Sequence, residues 1–115
     1  TLNGGEFFQA YRNEPVMHFG QPNDKKLLNE IWFGAKYVGD FTIYVWHRGG
    51  DTVGELENSG WDLLGGISMD SPSRAKLETH MDNSYRYHQI RWGTIGGSER
   101  FGINRIDFKY TVGAY

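Results

Sequence analysis

Phe41-Thr42-Ile43-Tyr44-Val45-Trp46 is the stretch that decides the fold. Side chains on an extended strand repeat every two residues, so Phe41, Ile43 and Val45 share one face and Thr42, Tyr44 and Trp46 share the other. The first set is the expected core face. The same period returns near the end of the chain, where Ile106, Phe108 and Tyr110 alternate with Asp107, Lys109 and Thr111. That pattern describes an antiparallel strand with one buried and one polar side. Working outward from these two segments, turn-forming clusters recur at short intervals: Asn3-Gly4-Gly5, Gln21-Pro22-Asn23-Asp24, Gly39-Asp40, Gly49-Gly50-Asp51, Asn58-Ser59-Gly60, Gly65-Gly66, Ser71-Pro72-Ser73, Asp82-Asn83-Ser84 and Gly96-Gly97-Ser98. Most of the intervening segments, 16–19, 27–33, 41–47, 61–69, 76–81, 85–95 and 103–112, are rich in β-branched and aromatic residues. About seven short strands separated by turns predict an all-β, antiparallel sandwich of jelly-roll type with little or no helix. The only helical candidate is 24–30, where Asp24 would cap a short turn.

The chain has 115 residues, the size of one domain. It is therefore read as a single sandwich, residues 1–115, appended to a larger protein. Its 7 Phe, 4 Trp and 7 Tyr supply core material, and its 16 Gly supply turns, so disorder is not expected. Apolar runs such as Ile31-Trp32-Phe33 fall far short of the roughly 20 residues of a spanning helix. Twelve Lys and Arg against 14 Asp and Glu leave a net charge of −2, which disfavours polyanions as partners while leaving room for a local basic patch. With no cysteine there is no disulfide, no thiolate nucleophile and no Cys-type zinc site. The sequence starts at Thr1 rather than Met and shows neither a basic n-region nor an apolar h-region, so a processed product or an excised piece is expected.

Several segments line up in one order with the strands of a known family. His18-Phe19-Gly20-Gln21-Pro22 and residues 26–35 look like two consecutive strands of it; residues 40–45 resemble its F-x-V-Y-V-S strand, and residues 60–65 its N-W-x-x-L-G hairpin arm. Residues 85–91 resemble its A-R-Y-I-R-I strand and residues 101–108 its closing F-A-A-E-I-x-F strand. In this respect the chain resembles the coagulation factor 5/8 type C, or discoidin-like, domain, which includes carbohydrate-binding module family 32 within the galactose-binding-like superfamily. The resemblance runs from about Val16 to Tyr110, and its specificity lies in the order of six pieces rather than in any one. It implies a β-sandwich that recognises carbohydrate. Two departures stand out. Nothing in residues 4–14 matches the family's N-terminal Asp-Gly-x-x-x-Thr-x-Trp stretch, so that front is shortened or rebuilt. Arg105 stands where the family has a glutamate that ligates structural Ca²⁺, and a cation cannot ligate a metal, so no cofactor is expected.

The resemblance also points to contact residues. The family's sugar-binding loop precedes the F-x-V-Y-V strand, and here that loop is Gly34-Ala35-Lys36-Tyr37-Val38-Gly39, without the family's Arg and Asn. Lys36 can donate to hydroxyls, Tyr37 can stack or donate, and Phe101, flanked by Arg100, sits where the family's stacking aromatic sits. A sugar presents apolar C–H faces and ordered hydroxyls, so an aromatic platform beside polar donors suits it. The ligand-binding candidates are thus Lys36, Tyr37, Arg100 and Phe101. The competing reading is that Tyr37 and Phe101 cover the ends of the core.

Other residues give weaker signals. Trp32 and Trp46 fall opposite the presumed core face and define either an exposed aromatic patch or a second packed face. Trp61 resembles a core position, and Trp92 shares a face with His88 and Ile90, which favours packing. Histidines 18, 47, 80 and 88 show no spacing that brings two imidazoles together on one strand face or helix turn, so each reads as structural and no metal is expected. Glu55 and Glu57, two apart in a short Gly-flanked loop, would share a strand face and read as solvated, since glycosidase carboxylates flank a cleft from separate elements. No serine lies in a Gly-x-Ser-x-Gly elbow, and residues 96–102 lack the Gly-Lys-Ser/Thr end of a phosphate loop. Basic and aromatic residues interleave over 85–92 as on a nucleic-acid-stacking strand, but the family's strand accounts for the same residues and the net charge argues against nucleic acid. The expectation is a non-catalytic module that recognises carbohydrate on a cell or particle surface, located outside the cell, on its surface or on a virion. The alternative is an assembly or decoration domain, for instance of a virion or tail, whose partners are other protein subunits.

Overall fold

The computed structural model describes residues 8–37, 42–68, 74–79, 84–95 and 102–113. These form β1 (Phe8–Asn13), β2 (Lys26–Tyr37), β3 (Thr42–Gly50), a short helix α1 (Val53–Glu57), β4 (Asp62–Ser68), β5 (Arg74–Glu78), β6 (Tyr87–Ile95) and β7 (Gly102–Val112). The strands make two antiparallel sheets, one in the order β1-β6-β3-β4 and the other β5-β2-β7. The all-β expectation therefore holds.

The sheets face each other across a core of Leu28, Ile31 and Phe33 from β2, Ile43 and Val45 from β3, Ile67 from β4, and Ile90 and Trp92 from β6. Ile43 and Val45 face inward as the alternation in β3 predicts, while Phe41 lies outside the described residues. Ile106, Phe108 and Tyr110 of β7 pack against the same cluster. Leu28 and Ile31 are three apart, so strict alternation would place them on opposite faces. A bulge resolves the conflict: Leu28 pairs with Tyr110 and Glu30 with Lys109, leaving Asn29 as the extra residue that shifts the parity of β2. Thr79 follows β5 and closes the gap, its N–H donating to Asn29 O at 3.1 Å and its buried hydroxyl to Leu28 O. β4 repeats the device, with Gly65 paired to Val45 and Leu63 to Trp46, so that Leu64 and Ile67 both reach the core. Gly65 has φ +148°, a conformation that side chains rarely adopt.

Three local readings of the sequence are corrected. Residues 24–30 are not helical: β2 begins at Lys26, whose backbone exchanges two hydrogen bonds with Tyr85 (2.8 and 3.0 Å), and pairing outcompetes a single unsupported turn. The helix is α1 instead, where Thr52 Oγ1 accepts from Glu55 N at 3.0 Å as an N-cap and Leu56 is buried. Glu55 and Glu57 thus lie on a helix rather than a strand, and both are exposed, as solvated residues should be. Residues 16–19 are not a ladder strand, since only Met17 bridges to His88 before the chain turns. In that turn Phe19 (φ 57°) and Gly20 (φ 76°) have the φ signs of a type I′ turn, with Gln21 N donating to His18 O at 3.0 Å. The unfavourable φ at Phe19 is offset by its ring, which stacks on Tyr110 at 4.3 Å and approaches Phe108 and His88.

Candidate recognition site

Of the residues expected to touch sugar, two lie on described backbone. Lys36 and Tyr37 close β2, and Tyr37 pairs with Gly102, the first residue of β7 and the one directly after Arg100-Phe101 in the chain. Antiparallel pairing of β2 with β7 therefore carries the end of β2 and the start of β7 to one end of the three-stranded sheet. Arg100 and Phe101 lie outside the described residues, as do the side chains of Lys36 and Tyr37.

Trp32 and Trp46 do not form one patch, because they belong to different sheets. Trp32 lies on the outer side of β2, its indole N–H donating to Glu30 Oε1 at 3.0 Å and the Lys76 ammonium 5.7 Å from its ring centre. Trp46 lies on the outer side of β3, opposite Leu63 of β4 and Arg91 of β6. Trp92 is core, as expected, with its N–H donating to Glu14 Oε2 at 2.9 Å. Trp61 is not core. Its ring lies at the outer side of the four-stranded sheet, with the guanidinium carbons of Arg48 and Arg91 each 4.5 Å from its centroid. Sequence reasoning missed this cluster because Arg48, Trp61 and Arg91 come from three segments that meet only through the β4-β3-β6 pairing. The one legible signal was the position of Arg48, two residues beyond Trp46 on the non-core face.

Two histidines that show no pairing in the sequence also meet. His47 pairs with Ile90 and His88 with Gly49 across β3 and β6, bringing His47 Nε2 to 2.8 Å from His88 Nδ1 inside the core. His88 Nε2 lies 2.8 Å from Lys26 O and 3.1 Å from Tyr85 O. Both of these are acceptors, so Nε2 carries the proton and His88 Nδ1 accepts. His47 Nε2 is then the donor, and both rings are neutral. Burial, with a smaller contribution from His88, pushes the His47 pKa down to about 3, and burial also lowers that of His88. Lys26, whose backbone oxygen meets His88, is fully buried; its pKa is lowered chiefly by burial, and its ammonium donates to Gln21 O at 2.6 Å.

Arg105 is exposed on β7, and its guanidinium takes up the carboxylate of Asp107 at 2.7 Å. Among the described residues there is no group of three or more His, Asp and Glu side chains that could hold a metal ion, and no helix is long and apolar enough to cross a membrane. His80 lies outside the described residues. No family model, curated protein or solved structure matches this chain.

Proposed function

We propose that this chain is a non-catalytic recognition module of the discoidin-like kind, binding carbohydrate on a cell or particle surface through Lys36, Tyr37, Arg100 and Phe101. The reading is supported above all by the pairing of Tyr37 with Gly102, which brings the end of β2, with Lys36 and Tyr37, beside the residue that follows Phe101 in the chain. It is supported also by where the perturbed titratable groups lie among the described residues: His47, His88 and Lys26 are all buried. Stacking on Phe101 removes a sugar's apolar face from water, whereas charged contacts from Lys36 or Arg100 compete with water. Phe101→Ala should weaken glycan binding by about 1 to 3 kcal/mol, five- to a hundred-fold, with the melting temperature little changed. The test is a glycan array with the isolated chain, followed by affinity and melting measurements on this variant. A folded Phe101→Ala protein with unchanged affinity removes Phe101 from the site. An oligomer that binds no glycan replaces the module with the assembly domain.

A further inference from the structure

Some cations of the described residues are paired with carboxylates, whereas Arg48 and Arg91, like Arg86 and Lys26, are held by neutral groups. Arg12 is paired with Glu14, Lys25 with Asp51, Lys76 with Glu30 and Glu78, and Arg105 with Asp107. Arg48 and Arg91 meet no carboxylate among the described residues; each is held by neutral groups. Arg48 Nε donates to Gln89 Oε1 at 2.9 Å and Nη1 to the backbone oxygen of Glu57 at 3.3 Å. Gln89 is itself fixed, since it is buried and its Nε2 donates to Glu14 O at 2.9 Å. Arg91 Nε donates to Asn13 Oδ1 at 2.8 Å. Anchoring through Nε leaves the terminal nitrogens of Arg91, and Nη2 of Arg48, as donors that no described residue uses.

Both guanidiniums lie 4.5 Å from the same Trp61 centroid, so the two charges are no farther apart than twice that distance. Like charges so close repel one another, and stacking on the indole offsets only part of that repulsion. An anion within reach of both offsets it. A planar guanidinium held at its Nε edge presents its remaining N–H groups as a fork suited to the oxygens of a carboxylate or sulfate. The surroundings are not purely ionic: Leu63, 58% exposed, and Trp46 lie in the strand row that contains Arg91. A saccharide carrying an acidic substituent combines an apolar ring face with one such anion.

We propose that the outer face of the β1-β6-β3-β4 sheet binds the acidic substituent of a saccharide, with Arg48 and Arg91, stacked on Trp61, holding its sulfate or carboxylate oxygens. This rests on the reading of the chain as a glycan-recognition module and adds a second contact surface to it, on the opposite sheet from the β2 and β7 ends. Gln89 and Asn13 are positioning residues that keep the two forks in place.

The test measures binding of the chain to a sulfated uronic-acid hexasaccharide, the same hexasaccharide desulfated, and a neutral hexasaccharide, over a range of salt. The sulfated and desulfated forms separate sulfate from carboxylate as the bound group. Either acidic form should bind more tightly than the neutral one, and increasingly so as salt is lowered. Arg91→Gln and Arg48→Gln should each weaken acidic binding about tenfold and flatten its salt dependence, with the melting temperature and neutral-saccharide binding unchanged. Arg91→Lys, which keeps the charge but loses the fork, should fall between wild type and Arg91→Gln. Equal affinity for acidic and neutral forms, or unchanged acidic binding in folded Arg91→Gln and Arg48→Gln, overturns the inference. So does displacement by a single-stranded oligonucleotide at lower concentration than by the acidic hexasaccharide. Neutral binding that is lost in Phe101→Ala but indifferent to both arginines overturns this surface alone, whereas no saccharide binding at all removes the module reading with it.

Discussion

At the scale of single residues, the paired histidines make stability depend on pH in a definite direction. The pKa of His47 falls from 6.5 in the unfolded chain to about 3 in the fold, and that of His88 is also lowered. Above pH 6.5 both states are neutral and the pair contributes fully. As pH falls from 6.5 toward 3, the unfolded chain takes up protons that the buried rings refuse, so stability is progressively lost. Each ring that stays neutral adds a slope of about 1.4 kcal/mol per pH unit. Carboxylates also titrate over this range, so the measurement is a comparison: urea unfolding of wild type and His47→Gln between pH 7 and 4. The variant should lose stability less steeply, and an identical slope would show that His47 does not remain neutral in the fold. Gly50 sets a different limit. A Cβ there would lie 2.5 Å from Leu56 N, a backbone atom of α1 that cannot move aside as a side chain would. Gly50→Ala should cost about 1 to 3 kcal/mol, read as a lower urea midpoint with an unchanged m-value.

At the scale of elements, α1 shows why so short a helix survives. Its five residues are too few to be stable alone. What holds it is the Thr52 cap, the hydrogen bonds of Asn58 Nδ2 to Gly54 O (3.0 Å) and Ser59 Oγ to Gly49 O (3.1 Å), and buried Leu56. Thr52→Ala should cost about 1 kcal/mol, seen as a drop of several degrees in melting temperature for a chain of this size. The same site explains one misreading of the sequence. The capping residue and a single buried leucine are too sparse a pattern to separate a one-turn helix from a loop, whereas the Asp24 start at 24–30 looked stronger and lost to pairing with Tyr85 and β7. β1 was missed for a related reason: Phe8–Asn13 has no clean alternation, and it becomes a strand because β6 offers it a partner edge. By contrast β3 and β7 were legible in the sequence, since their alternation runs unbroken over the residues that matter.

At the scale of the whole molecule, calcium should leave the protein unchanged. A site occupied at about one hundred times its Kd would add about 2.7 kcal/mol. With the Arg105 guanidinium neutralising Asp107, added Ca²⁺ should produce no chelator-sensitive rise in melting temperature; a rise of several degrees would reveal another ligand set. The amino-acid sequence by itself determined the all-β class, the inward faces of β3 and β7, and the burial of Trp92, because period-two alternation is a local property that survives whatever the partners are. The proposed contacts at Lys36, Tyr37, Arg100 and Phe101 came from likeness to a family, and of that group the tertiary structure speaks only to the pairing of Tyr37 with Gly102. Bulges at Asn29 and Leu64, the His47–His88 pair and the Arg48–Trp61–Arg91 cluster were decided only in three dimensions. A bulge exists only relative to a neighbouring strand. Likewise, residues 41 positions apart in the chain, as His47 and His88 are, become hydrogen-bonded only when strand order and register make them neighbours.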